Sequence, residues 1–122
     1  MAGSIVHFEL PAADTDRAAG FWSGVFGWDL ADTGTPGMDY RMAEVAPGQA
    51  VAVFESEQPG TGPVVYLGTD DIERSIDQVR SLGGEAESKA PVPGHGWFAP
   101  CRDTEGNRFR LWQADESATM PA

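Results

Sequence analysis

The sequence is poor in several things at once. It has a single cysteine, Cys101, so no disulfide can close within the chain, and a reducing cytoplasm is the expected setting. It has two histidines, His7 and His95, and no Cys/His pairs at zinc-site spacing. No apolar run approaches the roughly 18 residues that span a bilayer, so no membrane partner is expected. The N-terminus lacks the basic-then-apolar pattern of a secretion signal. Basic residues are also scarce: 8 Lys and Arg stand against 19 Asp and Glu, a net charge of −11. Nucleic acid is therefore not an expected partner, because phosphate contacts need a basic surface. The acidic excess reads as a solvated coat, or as a field that draws cationic ligands. No nucleophile motif and no phosphate-binding glycine loop is present.

What is present is a repeat. Phe8, Leu10, Asp14, Arg17 and Gly27 recur as Val65, Leu67, Asp71, Arg74 and Gly84, each 57 positions later. Each copy reads as an apolar strand, an acidic turn, an amphipathic helix and a glycine stop. The hydrophobic fraction, 41% of 122 residues, is enough for one packed domain over residues 1–122. Repeat one spans about 4–56, repeat two about 63–113, and 114–122 is a polar tail expected to fray.

In the first copy Ser4–Leu10 alternates like a strand, Asp14 is placed to cap a helix, and Ala18, Phe21, Trp22, Val25 and Phe26 share a helical face. Trp22 reads as core. Strands follow near Trp28–Thr33, Met38–Val45 and Gln49–Glu55. In the second copy Pro63–Thr69 is a strand, and Asp70 with Glu73 has capping-box spacing. Ile72, Ile76, Val79 and Leu82 form the helix face, and Gly83-Gly84 ends it. Strands follow near Glu85–Lys89, Trp97–Cys101 and Asn107–Gln113. The expected fold is α+β: two βαβββ repeats forming a curled mixed sheet with a central pocket and helices on the outer face.

Three segments, IVHFELPAADTDRAAGFWSGVFGW (5–28), VVYLGTDDIERSIDQVRSLGG (64–84) and GWFAPCRDTEGNRFRLWQ (96–113), make the chain resemble the vicinal oxygen chelate superfamily. That superfamily includes glyoxalase I, bleomycin-resistance proteins and extradiol dioxygenases. The last segment is similar to the family's closing turn, D-P-[DE]-G-N and an apolar strand, with Thr104 here in place of proline. The resemblance implies one divalent metal held by four side chains, two from first strands and two from last strands. Carried onto this sequence, those positions are His7, Val64, Ala52 or Val53, and Arg110. Only His7 can ligate a metal, and the nearest carboxylate, Glu55, is displaced. The expectation is therefore no metal and no other cofactor.

Strand parity suggests what lines the concave face instead. Val6, Phe8, Leu10, Val65, Leu67, Phe109 and Leu111 should meet the helices. His7 and Glu9, as tentative catalytic residues, with Tyr66, Arg110, Trp112 and Val53 or Phe54, should face the pocket. Trp97 follows the Pro91–Gly96 loop, which could cover the mouth, and joins the ligand-binding set. Without a ligand, Glu9 and Arg110 read instead as an internal ion pair. His95 reads as a solvent-exposed loop residue and Cys101 as a small buried hydrophobe. Bleomycin-resistance proteins sequester a cationic drug, and the resemblance implies such a small-molecule-binding role here. The alternatives are a metal-independent lyase or isomerase with His7 or Glu9 as base, and a metal-dependent glyoxalase-like lyase or dioxygenase. A homodimer is expected, through exposed sheet edges.

Overall fold

The computed structural model describes residues 2–120. Contacts divide the chain into two compact units, His7–Val64 and a second made of Met1–Val6 with Val65–Ala122. The class is α+β. The elements run β1 (Ile5–Ala12), α1 (Thr15–Phe26), β2 (Ala31–Asp32), β3 (Tyr40–Ala46), β4 (Gln49–Glu55), β5 (Val64–Gly68), α2 (Ile72–Ser81), β6 (Glu85–Ala86), β7 (Ala90–Val92), β8 (Gly96–Arg102) and β9 (Arg108–Ala114). The repeat is visible in the wiring. The first unit orders its strands β2-β3-β4-β1 and the second β6-β8-β9-β5. In each, the first strand runs parallel to the last. The second copy carries one strand more than expected: β7 pairs with β8 inside what reads as a loop from sequence.

The two helices start in the same way. Asp14 and Asp71 have extended backbones, and each side chain accepts the N–H three residues on, from Arg17 and Arg74. The cap of α2 is thus Asp71 and not Asp70, which corrects the capping-box expectation and restores the repeat equivalence with Asp14. Gln113 of β9 adds a second acceptor, Oε1, for the N–H of Ile72 at 2.9 Å. At the other end the copies diverge. Gly27 takes the left-handed conformation that ends α1. In α2 that conformation falls on Gly83, whereas Gly84 is a close-approach glycine: a Cβ there would stand 2.7 Å from the Arg102 carbonyl.

In the second unit, Ile72 and Ile76 of α2 pack on Ala99, Cys101 and Leu111, with Val79, Trp97 and Phe109 at the margin. Each fully buried aliphatic side chain contributes about 1.5–3 kcal/mol. Cys101 is buried as expected, and burial pushes its thiol pKa up. In the first unit Val51 and Val53 of β4 are wholly buried, beside Phe8 and Leu10 of β1. Helix α1 crosses this face. Its Asp16 meets Arg41, the β3 partner of Val53, at 2.7 Å, and buried Thr15 donates to Asp39 at 2.6 Å.

Four further expectations are corrected. Phe21, Val25 and Phe26 do not form a buried face; they are 60%, 54% and 60% exposed. Trp22 is half-buried and stacks on Phe26 and Trp28; Trp28 itself lies outside β2. The tail is anchored through Ala118, which is 1% exposed. Asp115 is the reason. Its N–H donates to the His95 carbonyl, its carboxylate accepts from Trp97 Nε1 and from Ser117, and Ala118 accepts from Gly94. The last two residues of the expected tail lie outside the described residues.

Candidate functional site

Each unit has one sheet face turned away from its helix, and each such face carries a polar cluster. In the first unit, period-2 alternation puts His7 and Glu9 on the side opposite Phe8 and Leu10. Register adds Ala50, Ala52 and Phe54 from β4, and Tyr40, Met42 and Glu44 from β3. Phe54 therefore shares this face, and Val53 does not. The Tyr40 hydroxyl donates to Glu9 Oε2 at 2.7 Å and lies 2.7 Å from His7 Nε2. A phenol has one proton to give. With its hydrogen directed at Glu9, the hydroxyl can only accept from His7, which requires the tautomer with a hydrogen on Nε2. His7 Nε2 and Glu9 Oε2 are 4.0 Å apart, bridged by the phenol. Glu9 is only 7% exposed.

Tyr40 was not a sequence candidate. Its Cα pairs with Phe54 on β4, two strands from β1, so its ring must cross β4 to reach Glu9. Neighbouring strands are about 4.8 Å apart, so that crossing spans about 10 Å. Ala52 makes it possible. It lies between Met42 and Glu9 in the register, and its methyl leaves the space above β4 open. The available signal was the parity of β3, which sets Tyr40 on the same side as Glu44 and Met42.

In the second unit Tyr66 and Arg110 are direct partners across β5 and β9. Arg110 Nη1 donates to the Tyr66 hydroxyl at 2.7 Å. The guanidinium lies 5.5 Å from the Tyr66 ring centre and 5.2 Å from that of Phe98, within cation–π range. Trp112 shares this face, opposite Phe98, and its ring lies over Gly96, where a Cβ would come within 2.7 Å of it. Trp97 is not brought to this face. One residue from Phe98, it points the other way, packs on the α2 core, donates to Asp115 and receives Lys89 at 4.3 Å. His95 is exposed in the β7–β8 turn.

The most specific sequence motif is structural. Asp103 accepts from the N–H groups of Glu105 and Asn107 and from the Asn107 amide. Those bonds, the Asn107 side chain first, hold its carboxyl below the ordinary value. Gly106 supplies the positive φ of 84°. The turn sets the register of β8 and β9 and adds no chemistry.

A glyoxalase-like domain family model matches residues 6–112. The chain belongs to the glyoxalase-like domain family. It is 33% identical, over 89% of its length and 92% of the relative's, to a glyoxylase-like domain-containing protein of Didymella fabae. It is 30% identical to a putative glyoxylase of Mycobacterium tuberculosis, and 28% identical to the anthracycline biosynthesis protein DnrV of Streptomyces peucetius. The chain covers 88% and 91% of itself in those two matches but only 44% and 47% of the relatives, so it spans about half their length. Its fold resembles methylmalonyl-CoA epimerase of Mycobacterium tuberculosis, with TM-score 0.70 at 16% identity over 93% of this chain and 88% of that one. It also resembles a glyoxalase/bleomycin resistance protein/dioxygenase superfamily member of Vibrio splendidus, with TM-score 0.63 at 21% identity, over 91% and 98%. The superfamily resemblance read from the sequence is thereby shown.

The superfamily's divalent metal can be tested against these residues. Register decides that the β4 position on His7's face is Ala52, in line with Glu9. Its methyl, like the Val64 side chain, offers no lone pair. Arg110 is a cation bonded to Tyr66. Glu55 has the opposite parity, aligned with Ala12. Among the described residues no three His, Cys, Asp or Glu groups gather closely enough to hold an ion. The donor set does not fit the metal.

Proposed function

We propose that this glyoxalase-like domain binds a small organic molecule without a metal ion, using the His7–Tyr40–Glu9 cluster as its polar contact. One observation carries the reading: a phenol bridges His7 and Glu9 over an alanine, where the superfamily would supply metal ligands. The cluster offers a carboxylate acceptor, a phenol and an imidazole in one row, with Phe54 beside them as an aromatic wall. Ligand sites of this kind combine apolar surface with a few fixed polar groups. A net charge of −11 favours cationic ligands by long-range attraction. Tyr66, Arg110 and Trp112 form a second set of candidate contacts. The relative named for anthracycline biosynthesis makes flat polycyclic amines sensible first probes, beside bleomycin.

The test is a thermal-shift screen of such amines in the presence of a strong chelator. The reading predicts a ligand that raises Tm equally with and without chelator, and that raises it less in Tyr40→Phe at the same concentration. A shift that appears only when a divalent ion is added would contradict it. A second reading, a metal-independent isomerase or lyase, is favoured by the burial of Glu9 beside a hydroxyl. There Glu9 or His7 would take a proton from a carbon next to a carbonyl, and the phenol would steady the charge that forms. Turnover of the bound ligand, measured by mass spectrometry, separates this reading from simple sequestration.

A further inference from the structure

Tyr40 reaches Glu9 and His7 from the first position of β3, next to the loop 33–39. Strand ends beside loops open more readily than strand centres. A ring that crosses the whole of β4 also magnifies any tilt of its own backbone into displacement of its hydroxyl. Two bonds of 2.7 Å nevertheless meet at that oxygen. The neighbours on either side show what holds it. Alternation turns Asp39 and Arg41 to the face opposite Tyr40, toward α1. Thr15 Oγ1, in the first turn of α1, donates to Asp39 Oδ2 at 2.6 Å. Arg41 Nε donates to Asp39 Oδ1 at 3.2 Å, and Arg41 Nη2 meets Asp16 Oδ1 at 2.7 Å. Thr15 is buried, and the bonds from Thr15 and then Arg41 hold the Asp39 carboxyl below its ordinary value.

The second copy shows that the fold does not require this network. The repeat equivalents Leu10 and Leu67 pair with Val53 and Leu111, whose partners on the next strand are Arg41 and Ala99. Arg41 therefore corresponds to Ala99, Tyr40 to Phe98 and Asp39 to Trp97. Thr15 follows Asp14 as Ile72 follows Asp71. In the second unit Ile72 and Ala99 belong to the core and Trp97 packs against it. Apolar side chains thus suffice to seat a helix start on its sheet. The first copy puts a hydroxyl, a carboxylate and a guanidinium in those places, and it is the copy that carries the bridging phenol. Capping does not account for Thr15 either, since Asp14 already caps α1. We propose that Thr15, Asp39 and Arg41 are positioning residues for Tyr40: the start of α1 clamps the start of β3 from the helix side, and so fixes the phenol between Glu9 and His7 on the other. The proposal rests on the reading of Tyr40 as part of the binding site. None of the three shares the face of His7 and Glu9; each acts through Tyr40.

Nitrogen-15 spectra of the imidazoles of the full chain, without ligand, test the proposal. The chain has two histidines, and exposed His95 serves as the internal reference. Tyr40→Phe marks where the His7 Nε2 resonance lies once the bridge is gone. Thr15→Val and Arg41→Gln, made singly, should each carry that resonance roughly half of the way to the Tyr40→Phe position. The His95 resonances and the far-ultraviolet circular dichroism should stay as in the wild type. Asp14→Ala removes the cap from α1 but leaves the clamp groups in place, so His7 should keep its wild-type resonance. Three results would overturn the proposal: a His7 signal unmoved by both clamp variants, one unmoved by Tyr40→Phe itself, or one that Asp14→Ala shifts as far as the clamp variants do. The last would mean that helix stability alone matters. The site reading fails separately, if Tyr40→Phe binds the amine probes as tightly as the wild type.

Discussion

The hydroxyl of Tyr40 is the smallest part of this molecule on which the functional reading depends. It donates a hydrogen bond to Glu9 and accepts one from His7, so deleting it removes one donor from a buried carboxylate. Tyr40→Phe should lower stability by about 1 kcal/mol, in the range of a lost hydrogen bond. It should weaken ligand binding roughly fivefold, the equivalent of that energy. Denaturant titration and ligand titration of the same sample check both halves. A variant with wild-type affinity would remove Tyr40 from the site. In the second unit, Arg110→Ala should impair binding more than Tyr66→Phe. The first removes a charge held between two rings and the second only its acceptor. Equal affinities in all three proteins would show that this cluster is structural. Parity placed His7, Glu9, Tyr66, Arg110 and Trp112 on the correct faces from sequence, because period-2 alternation is local. It could not supply Tyr40, which depends on which strand lies two places away. Trp97 entered the ligand-binding set through the loop that precedes it and not through parity, and its position on β8, one step from Phe98, turns it to the other face.

At the scale of elements, what was legible was periodicity, and what was not was coverage. The apolar spacing of α1 announced a helix with an apolar face, and the helix is there. Spacing does not say that another surface is present to bury that face, and Phe21, Val25 and Phe26 are exposed. The reverse holds for the tail, whose polar composition suggested fraying. Its polar residues instead fold it back, with Asp115 at the centre. Hydrogen bonds from Ser117 and then Trp97 hold the Asp115 carboxyl below its ordinary value of 3.8. A carboxylate with a lowered folded-state pKa stabilises above its unfolded pKa, and that contribution is lost as pH falls through the lowered value. The Trp97 indole N–H resonance should therefore stay constant from neutrality to about pH 4 and move only below it. Asp115→Asn should remove that acid transition. A titration of the indole near pH 6, or none at all in acid, would contradict the anchoring described.

At the scale of the whole molecule, the repeat was the most informative feature of the sequence. An offset of 57 gave two helices capped by equivalent aspartates and, in each unit, strands wired in the same order. The extra strand β7 escaped it because nothing in the first copy corresponds to it. The same equivalence exposed the missing metal ligands, since a ligand position in one copy predicts one in the other. The register of β1, β3 and β4 then added a reason: with alanine at position 52, a phenol crosses where a carboxylate would stand. Metal independence is the central claim, and elemental analysis tests it most directly. The protein, dialysed against a small excess of nickel, zinc, iron or manganese and then against metal-free buffer, should retain far less than one ion per chain. Close to one retained ion per chain, lost in His7→Ala, would contradict it.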